Sequence, residues 1–585
     1  MGAISEIADA RRIDHASQAL EYAEAVIAGT IPVCKWVKAA CRRQLDDLER
    51  WRSDSAWPYD WRPELADRRI KFIELHVHVK GALAGLPLYL EAWQKFSVAC
   101  VFGWVRKSDG RRRFRTVYEE VPRKNAKTTK LAALCLAMLT DDDEIGAEVY
   151  SAATKEEQAR IVFDIALQMA RMEPEFRARF GVQLFRKSIV VSETASKFVP
   201  LAASDGLDGL NVSFAAVDEL HAHKTRAVHD VLDSATGARA QPLIWKITTA
   251  GSNRAGVCYD QRSYLTKILN AVLKRHGGMG HPVTGEVAED EAFWGVIYTI
   301  DEGDDPLDEK VWRKANPNYG ISVDPDDMRS MAQVAGVQAQ ALNEFLTKRL
   351  NVWVNADSAW MNMLQWDACG DPKLKEEDFA GEVCVAALDA AFKKDLFAKM
   401  KVFRREDDYF IFGRYYTNAE ITQQKGNEHL AAWVRDGWIR TTPGNVLDIE
   451  VVRQELLLDT QRFQVAEVPF DPFQLQQFAA EMIDDGVPMV ELRPTVLNFS
   501  PAMKEAEALV AAKRLHHNCD PVLAWAISNV VCHLDAKDNI YPRREKTDLA
   551  KKIDPAIALF MGLNRAMANA GPQRNVYEER GVISI

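Results

Sequence analysis

A basic, polar turn, VPRKNAKTT at residues 121–129, separates a β-prone apolar run at 114–121 from a helical apolar period at 128–139. A strand passing through a tight loop into a helix is the unit of a parallel α/β sheet, because the helix must pack back over the sheet. Such a loop also leaves its own N–H groups and those of the helix N-terminus free to hold an anion. Lys127 and Thr128 stand where a phosphate loop needs a cation for the β- and γ-phosphates and a hydroxyl for Mg²⁺. The consensus glycines fall at Val121 and Ala126. Taken alone, the segment also reads as an ordinary basic strand–helix connection.

Two further strand ends follow in order. The apolar run 214–217 ends on Asp218-Glu219, where Asp218 would hold Mg²⁺ through water and Glu219 would act as general base. Residues 243–249 run into Thr248-Thr249-Ala250-Gly251, small hydroxyl residues suited to sit beside a γ-phosphate. With a strand at 148–153 and a helix at 155–172, these predict a phosphate site along the C-terminal edge of one sheet.

A second α/β pattern begins near residue 380. Val383–Asp389 reads as a buried strand, 401–417 alternates like a hairpin, and Gln464–Phe470 leads into Asp471. Asp554 opens an apolar helical segment. Singly, each acid reads as a strand terminator or helix N-cap. Two-metal phosphodiester cleavage needs several converging oxygen ligands, and Asp389, Asp471 and Asp554 are candidates for that role. The paired histidines of HHNC at 516–519 lack zinc-site spacing.

The whole composition bounds these readings. A chain of 585 residues exceeds one hydrophobic core, and 47% hydrophobic with 27% charged residues is ordinary for a soluble protein. The longest apolar run, 131–139, is too short for a membrane span. The N-terminus lacks the plan of a secretory signal, and nine cysteines without a CxxC pair argue against zinc and disulfides. The net charge of −10 neither proves nor excludes nucleic acid, since basic clusters exist at Arg106-Lys107, Arg111–Arg113 and Arg543-Arg544 with Lys546.

Arg123-Lys124-Asn125-Ala126-Lys127-Thr128-Thr129, with Leu90–Gln94 upstream, Val217–His221, Thr248-Thr249-Ala250, Asn316-Pro317 and Leu350–Trp353, resembles the large subunit of tailed-phage terminases over residues 70–565. The resemblance implies an ASCE-type P-loop ATPase (RecA-like) followed by an RNase H-like nuclease. It implies ATP, contacted by Gln94, Arg123–Thr129, Asp218 and Thr249, with Arg123 or Arg254 as the arginine finger. Mg²⁺ or Mn²⁺ would be held by Thr128 and Asp218 and by Asp389, Asp471 and Asp554, and the resemblance adds Asp395 as a secondary ligand candidate and His516 and His517 as candidates near that site. The implied partners are double-stranded DNA, the portal protein of a procapsid, a small terminase subunit and further copies in a pentameric ring. The expected place is the host cytoplasm, away from membranes and outside the mature virion.

The domains expected are a helical extension at 1–70, the ATPase at 71–255, a helical lid or linker at 256–355, a linker at 356–380, the nuclease at 381–570 and a tail at 571–585. Another helicase-nuclease or repair enzyme is disfavoured by the lack of helicase motifs after residue 252. A nucleotide-binding assembly scaffold would show low ATP turnover with Lys127 intact.

Overall fold

The computed structural model describes residues 14–202, 209–223, 225–254, 256–277, 289–356, 359–390, 396–424, 427–534, 538–544 and 551–569. It divides into two compact units, Met1–Gln333 with Glu344–Val354, and Val334–Asn343 with Asn355–Ile585. Among the described residues no helix is long and apolar enough to cross a membrane.

In the first unit, β1 (Tyr59–Trp61) pairs with β2 (Trp104–Arg106). The main sheet contains β3 (Thr116–Glu120), β4 (Glu148–Ala153), β5 (Val182–Leu184), β6 (Ile189–Val191), β7 (Ser196–Ala202), β8 (Phe214–Asp218), β9 (Leu243–Thr248) and β10 (Phe293–Ile297). Their order is β10-β3-β9-β8-β4-β7-β6-β5, parallel from β10 to β7. Strand β9 lies between the strand before the basic loop and the strand ending in Asp218. That inserted strand is the ASCE arrangement expected from the sequence. It brings the ends of β3, β9 and β8 side by side.

Of the segment 1–70, read as an extension, the described residues 14–70 are built into this core. Helix Lys35–Ser53 buries Trp36, Val37, Ala40, Cys41, Gln44 and Leu48, one helical stripe. Ala19, Val37 and Cys41 share one hydrophobic cluster with Val117, Leu134 and Trp245. Arg43 donates to the Phe293 carbonyl at 2.8 Å, tying the same helix to β10. The stretch read as a lid at 256–355 likewise contributes β10 to the sheet, sets Asn316 against the basic loop and ties Asn351 to the Ala250 N–H and the Tyr298 carbonyl.

The second unit has β11 (Val383–Asp389), β12 (Phe397–Arg405), β13 (Asp408–Asn418), β14 (Ile439–Thr442), β15 (Gln464–Phe470), β16 (Met489–Glu491) and β17 (Leu515–His517) in one mixed sheet. Strands β11, β12 and β13 are antiparallel, and β15 joins β11 in parallel, an RNase H-like plan. A separate ribbon pairs β18 (Val531–Leu534) with β19 (Ile540–Arg543). Alternation along β11 sends Val385 and Ala387 into a core with Ala558 and Leu559 of helix Asp554–Ala568, and Ala386 and Leu388 into another with Leu456 and Phe478.

Candidate active sites

The basic loop folds as a cradle. Lys124 and Ala126 adopt left-handed backbone (φ 70° and 54°) without being glycine. Such residues persist only where neighbours hold them, and the neighbours are specific. The buried Asn125 amide donates to Asn316 Oδ1 at 3.0 Å and accepts from the Asn318 N–H at 3.1 Å. The Arg123 N–H donates to the Lys348 carbonyl at 2.9 Å, and Ser322 Oγ donates to the Lys124 carbonyl at 2.6 Å. The loop is therefore braced by Asn316, Asn318, Ser322 and Lys348, of which the sequence singled out only Asn316.

Lys127 Nζ donates to the carbonyls of Val121 and Pro122 at 2.6 and 3.2 Å, across the loop it would share with phosphate oxygens. Burial lowers its pKa, opposed by the charges of Glu219 and Asp218. Thr128 Oγ1 donates to Asp218 Oδ2 at 3.2 Å, so the two residues expected to share a cation meet, with Thr129 one position along the helix's first turn. Asp218 Oδ1 accepts from the Glu219 N–H at 2.9 Å.

Burial and the adjacent Glu219 charge push Asp218 up to about 6. Glu219 feels the same burial, but His221, Lys127 and Arg123 outweigh it and hold that carboxyl near 2. Glu219 is thus an ionised base at neutral pH. It too has left-handed backbone (φ 52°), a turn that aims its side chain back at the site. Thr249 Oγ1 lies 3.3 Å from His221 Nδ1. Arg123 is exposed at the rim, whereas the Arg254 guanidinium donates to the Trp353 carbonyl at 3.0 Å.

Gln94 differs from expectation. It is buried, and its Oε1 accepts from the Glu91 N–H at 3.0 Å in a capping box. An amide at the third position of a helix reaches back to its own N-cap. The cavity beside it, about 220 Å³, is lined instead by Glu91, Ala92, Trp93, Asn316 and Tyr319 among others, and Gln94 is not in its wall.

Beneath the cradle, Lys130 and Glu119 form a fully buried ion pair at 2.7 Å, with Trp245 Nε1 donating to the same carboxylate at 3.0 Å. Two arginines of the basic cluster 111–113 are also internal: Arg112 pairs with Asp142 at 2.9 Å and Arg113 with Asp47 at 2.8 Å. They carry packing rather than surface charge. Lys546, like Asp395, lies outside the described residues.

In the second unit, Leu388 of β11 pairs with Phe470 of β15, so Asp389 and Asp471 follow at the same end of adjacent strands. Asp389 continues the face of Val385 and Ala387, on which helix Asp554–Ala568 packs. Glu467, bonded to Arg565 of that helix at 2.5 and 2.9 Å, sets the same face for Asp471. Arg565 meets Glu467, and Gly562 meets Ala387 further along β11, so the helix N-terminus, with Asp554, points toward the Asp389 end. Burial raises the Tyr541 pKa, and the charges of Asp471 and Asp389 add to that rise against the opposing charge of Arg543.

Asp471 Oδ1 also accepts from the Phe473 N–H at 3.1 Å, so the N-cap and the strand-end acid are one residue. The donors are all hard oxygens, the set that suits Mg²⁺ or Mn²⁺. Among the described residues, however, no three His, Cys, Asp or Glu side chains stand close enough together to hold an ion. His516 and His517 are remote. Strand β17 pairs with Tyr409–Ile411, alongside the β12 end opposite Ala398, the partner of Asp389. His517 stacks on Trp366 (4.7 Å) and His516 on Phe410 (4.7 Å).

Comparison with known proteins gives two family models, each described as part of the terminase large subunit: its ATPase domain matches residues 92–267 and its endonuclease domain residues 287–570. The second match begins within the first structural unit, ahead of β10. Protein YmfN of Escherichia coli K12 is 34% identical over 399 residues, 66% of this chain and 84% of that protein. The terminase large subunit of Enterobacteria phage HK97 is 25% identical over 526 residues, 88% and 98% of the two chains. The crystal structure of the HK97 large terminase covers 86% of this chain and 99% of its own, at TM-score 0.40 and 24% identity.

Proposed function

The chain belongs to the terminase large subunit family, and on that premise we propose that its first unit drives double-stranded DNA into a procapsid while Asp389, Asp471 and Asp554 of its second cut the concatemer. Family membership makes it a genome-packaging ATPase and endonuclease that uses nucleotide and divalent metal. The observation that carries the residue assignment is the 3.2 Å contact of Thr128 with Asp218, beside Lys127 and the ionised Glu219.

In this reading Lys127 exchanges the Val121 and Pro122 carbonyls for phosphate oxygens, and Glu219 takes the proton of the attacking water. Thr128 and Asp218 would hold Mg²⁺, which when bound neutralises charge on the β- and γ-phosphates. The apolar cavity at Trp93 and Tyr319 suits the adenine ring. In the nuclease the three aspartates would hold Mg²⁺ or Mn²⁺ to activate water and stabilise the leaving oxygen.

The partners proposed are a portal protein, a small terminase subunit and further copies in a five-membered ring, assembled in the host cytoplasm. Lys127→Ala is expected to abolish ATPase and packaging while sparing cleavage of naked plasmid. Asp389→Ala and Asp554→Ala are expected to lose Mn²⁺-dependent cutting while ATPase persists. Parent-rate hydrolysis by Lys127→Ala would refute the phosphate-site assignment, and undiminished cutting by both aspartate variants would refute the nuclease site.

A further inference from the structure

His221 stands three residues past Asp218, in a short 3₁₀ turn. Its backbone N–H donates to Thr248 Oγ1 at 3.0 Å, pinning the turn to the end of β9. Its ring nitrogen Nδ1 lies 3.2 Å from Glu219 Oε2, 3.2 Å from Thr248 Oγ1 and 3.3 Å from Thr249 Oγ1. Glu219 Oε2 is buried and accepts no aligned hydrogen bond among the described residues, so its approach to Nδ1 is a close charge contact that a small turn of either side chain would align.

One imidazole nitrogen cannot serve three oxygens. Protonated, Nδ1 has a single N–H, and a carboxylate can only accept it. Unprotonated, it has a single lone pair, which a threonine hydroxyl can fill by donating. The two arrangements exclude each other. In the first, Glu219 is held against the histidine. In the second, one threonine hydroxyl fills Nδ1, that of Thr249 in the arrangement seen, since Thr248 donates to the Thr249 carbonyl at 3.0 Å, and the carboxylate is left to accept from a water.

We propose that His221 is a positioning residue for ATP hydrolysis, whose Nδ1 exchanges between Glu219 and the hydroxyls of Thr248 and Thr249, so that the state of the β9 end decides whether the base is held or released. The inference rests on the reading of Glu219 as the base. It makes the strand between the phosphate loop and the acid strand a reporter to the base through one side chain, rather than through backbone movement alone.

The test is steady-state ATPase of the full chain with linear duplex DNA, comparing His221→Ala, His221→Asn and His221→Gln with Lys127→Ala. Asparagine places an amide nitrogen on Cγ, where Nδ1 sits, whereas glutamine reaches only toward Nε2. The expected result is a fall in kcat of about 10-fold or more for His221→Ala with KM for ATP within about 2-fold. His221→Asn should return to within about 3-fold of the parent, and His221→Gln should stay as low as alanine.

Parent-like kcat in His221→Ala overturns the proposal, as does an asparagine variant no better than alanine. If Lys127→Ala itself hydrolyses ATP at the parent rate, the ATPase assignment falls. If it is inactive and His221→Ala is unimpaired, only the positioning role falls.

Discussion

Ala126 holds a left-handed backbone at φ 54°, a conformation that costs a residue with a Cβ about 1–2 kcal/mol. Glycine removes that cost but adds about 0.5–1 kcal/mol of unfolded-chain entropy. Ala126→Gly should therefore stabilise the nucleotide-free protein by up to about 1 kcal/mol in denaturant titration and keep parent-level ATPase. Loss of hydrolysis would mean that the Ala126 methyl itself shapes the loop. Asp218 gives a pH signature. Its folded-state carboxyl, raised from 3.8 to about 6, binds a proton that the unfolded chain has already lost between those values. Stability contributed by this group therefore falls as pH rises through that window and stays lower above it. Asp218→Asn has nothing to ionise, so it should melt later than the parent at pH 7.5 and alike at pH 4. The gain expected is about 1 kcal/mol, discounted because Asp218 is only partly shielded from water, together with loss of ATPase. Equal melting at both pH values would remove Asp218 as the group that carries the penalty.

Elements were legible from sequence wherever an apolar run stops on a polar residue. Strands β3, β4, β8 and β9 were read to within two residues at either end, as were β11 and β15 of the nuclease. What pattern cannot report is the partner of a buried face. The stripe on Lys35–Ser53 says that one side is covered, but not that β10 and the ATPase core cover it. Asn316 and Asn351 sit in irregular chain, so their grip on the phosphate loop and on the Ala250 N–H (2.6 Å) left no periodic trace. The ion pair between Lys130 and Glu119 was equally hidden, since charges on a strand and a helix read as solvent-facing until both are seen at 0% exposure. Removing one member leaves a buried charge, so Glu119→Ala should cost about 3–5 kcal/mol in denaturant unfolding, while Glu119→Gln with Lys130→Met costs far less. Equal costs would mean that the pair's attraction, not its isolation penalty, dominates. In the nuclease, a Cβ at Gly562 would lie 2.7 Å from Val402 Cγ2 and 3.5 Å from Ala387 Cβ. Gly562→Val should lift the helix that carries Asp554 and reduce plasmid cutting about 10-fold or more, with ATPase unchanged. Unreduced cutting would show that this close approach does not set the position of Asp554.

The whole molecule consists of two units with separate cores, the ATPase ending at Val354 and the nuclease built around β11–β17. A ligand that binds one folded unit stabilises that unit by RT ln(1 + [L]/Kd), about 2.7 kcal/mol at a hundredfold excess over Kd. The phosphate-site residues all belong to the first unit and the three aspartates to the second, so calorimetry should resolve two transitions with different ligand responses. A non-hydrolysable ATP analogue with Mg²⁺ should raise only the transition that Lys127→Ala makes unresponsive. Mn²⁺ alone should raise the other, and Asp389→Ala should erase that shift without touching the first. The metal response also bears on the dispersed carboxylates: if Asp389, Asp471 and Asp554 close on an ion only when it is present, the shift should shrink by a similar amount in each single variant, because each loses one ligand of a shared site. Independent, unequal losses would mean that Asp389, Asp471 and Asp554 do not act as one site. A single transition moved by both ligands would mean that the chain unfolds as one cooperative body despite its two cores.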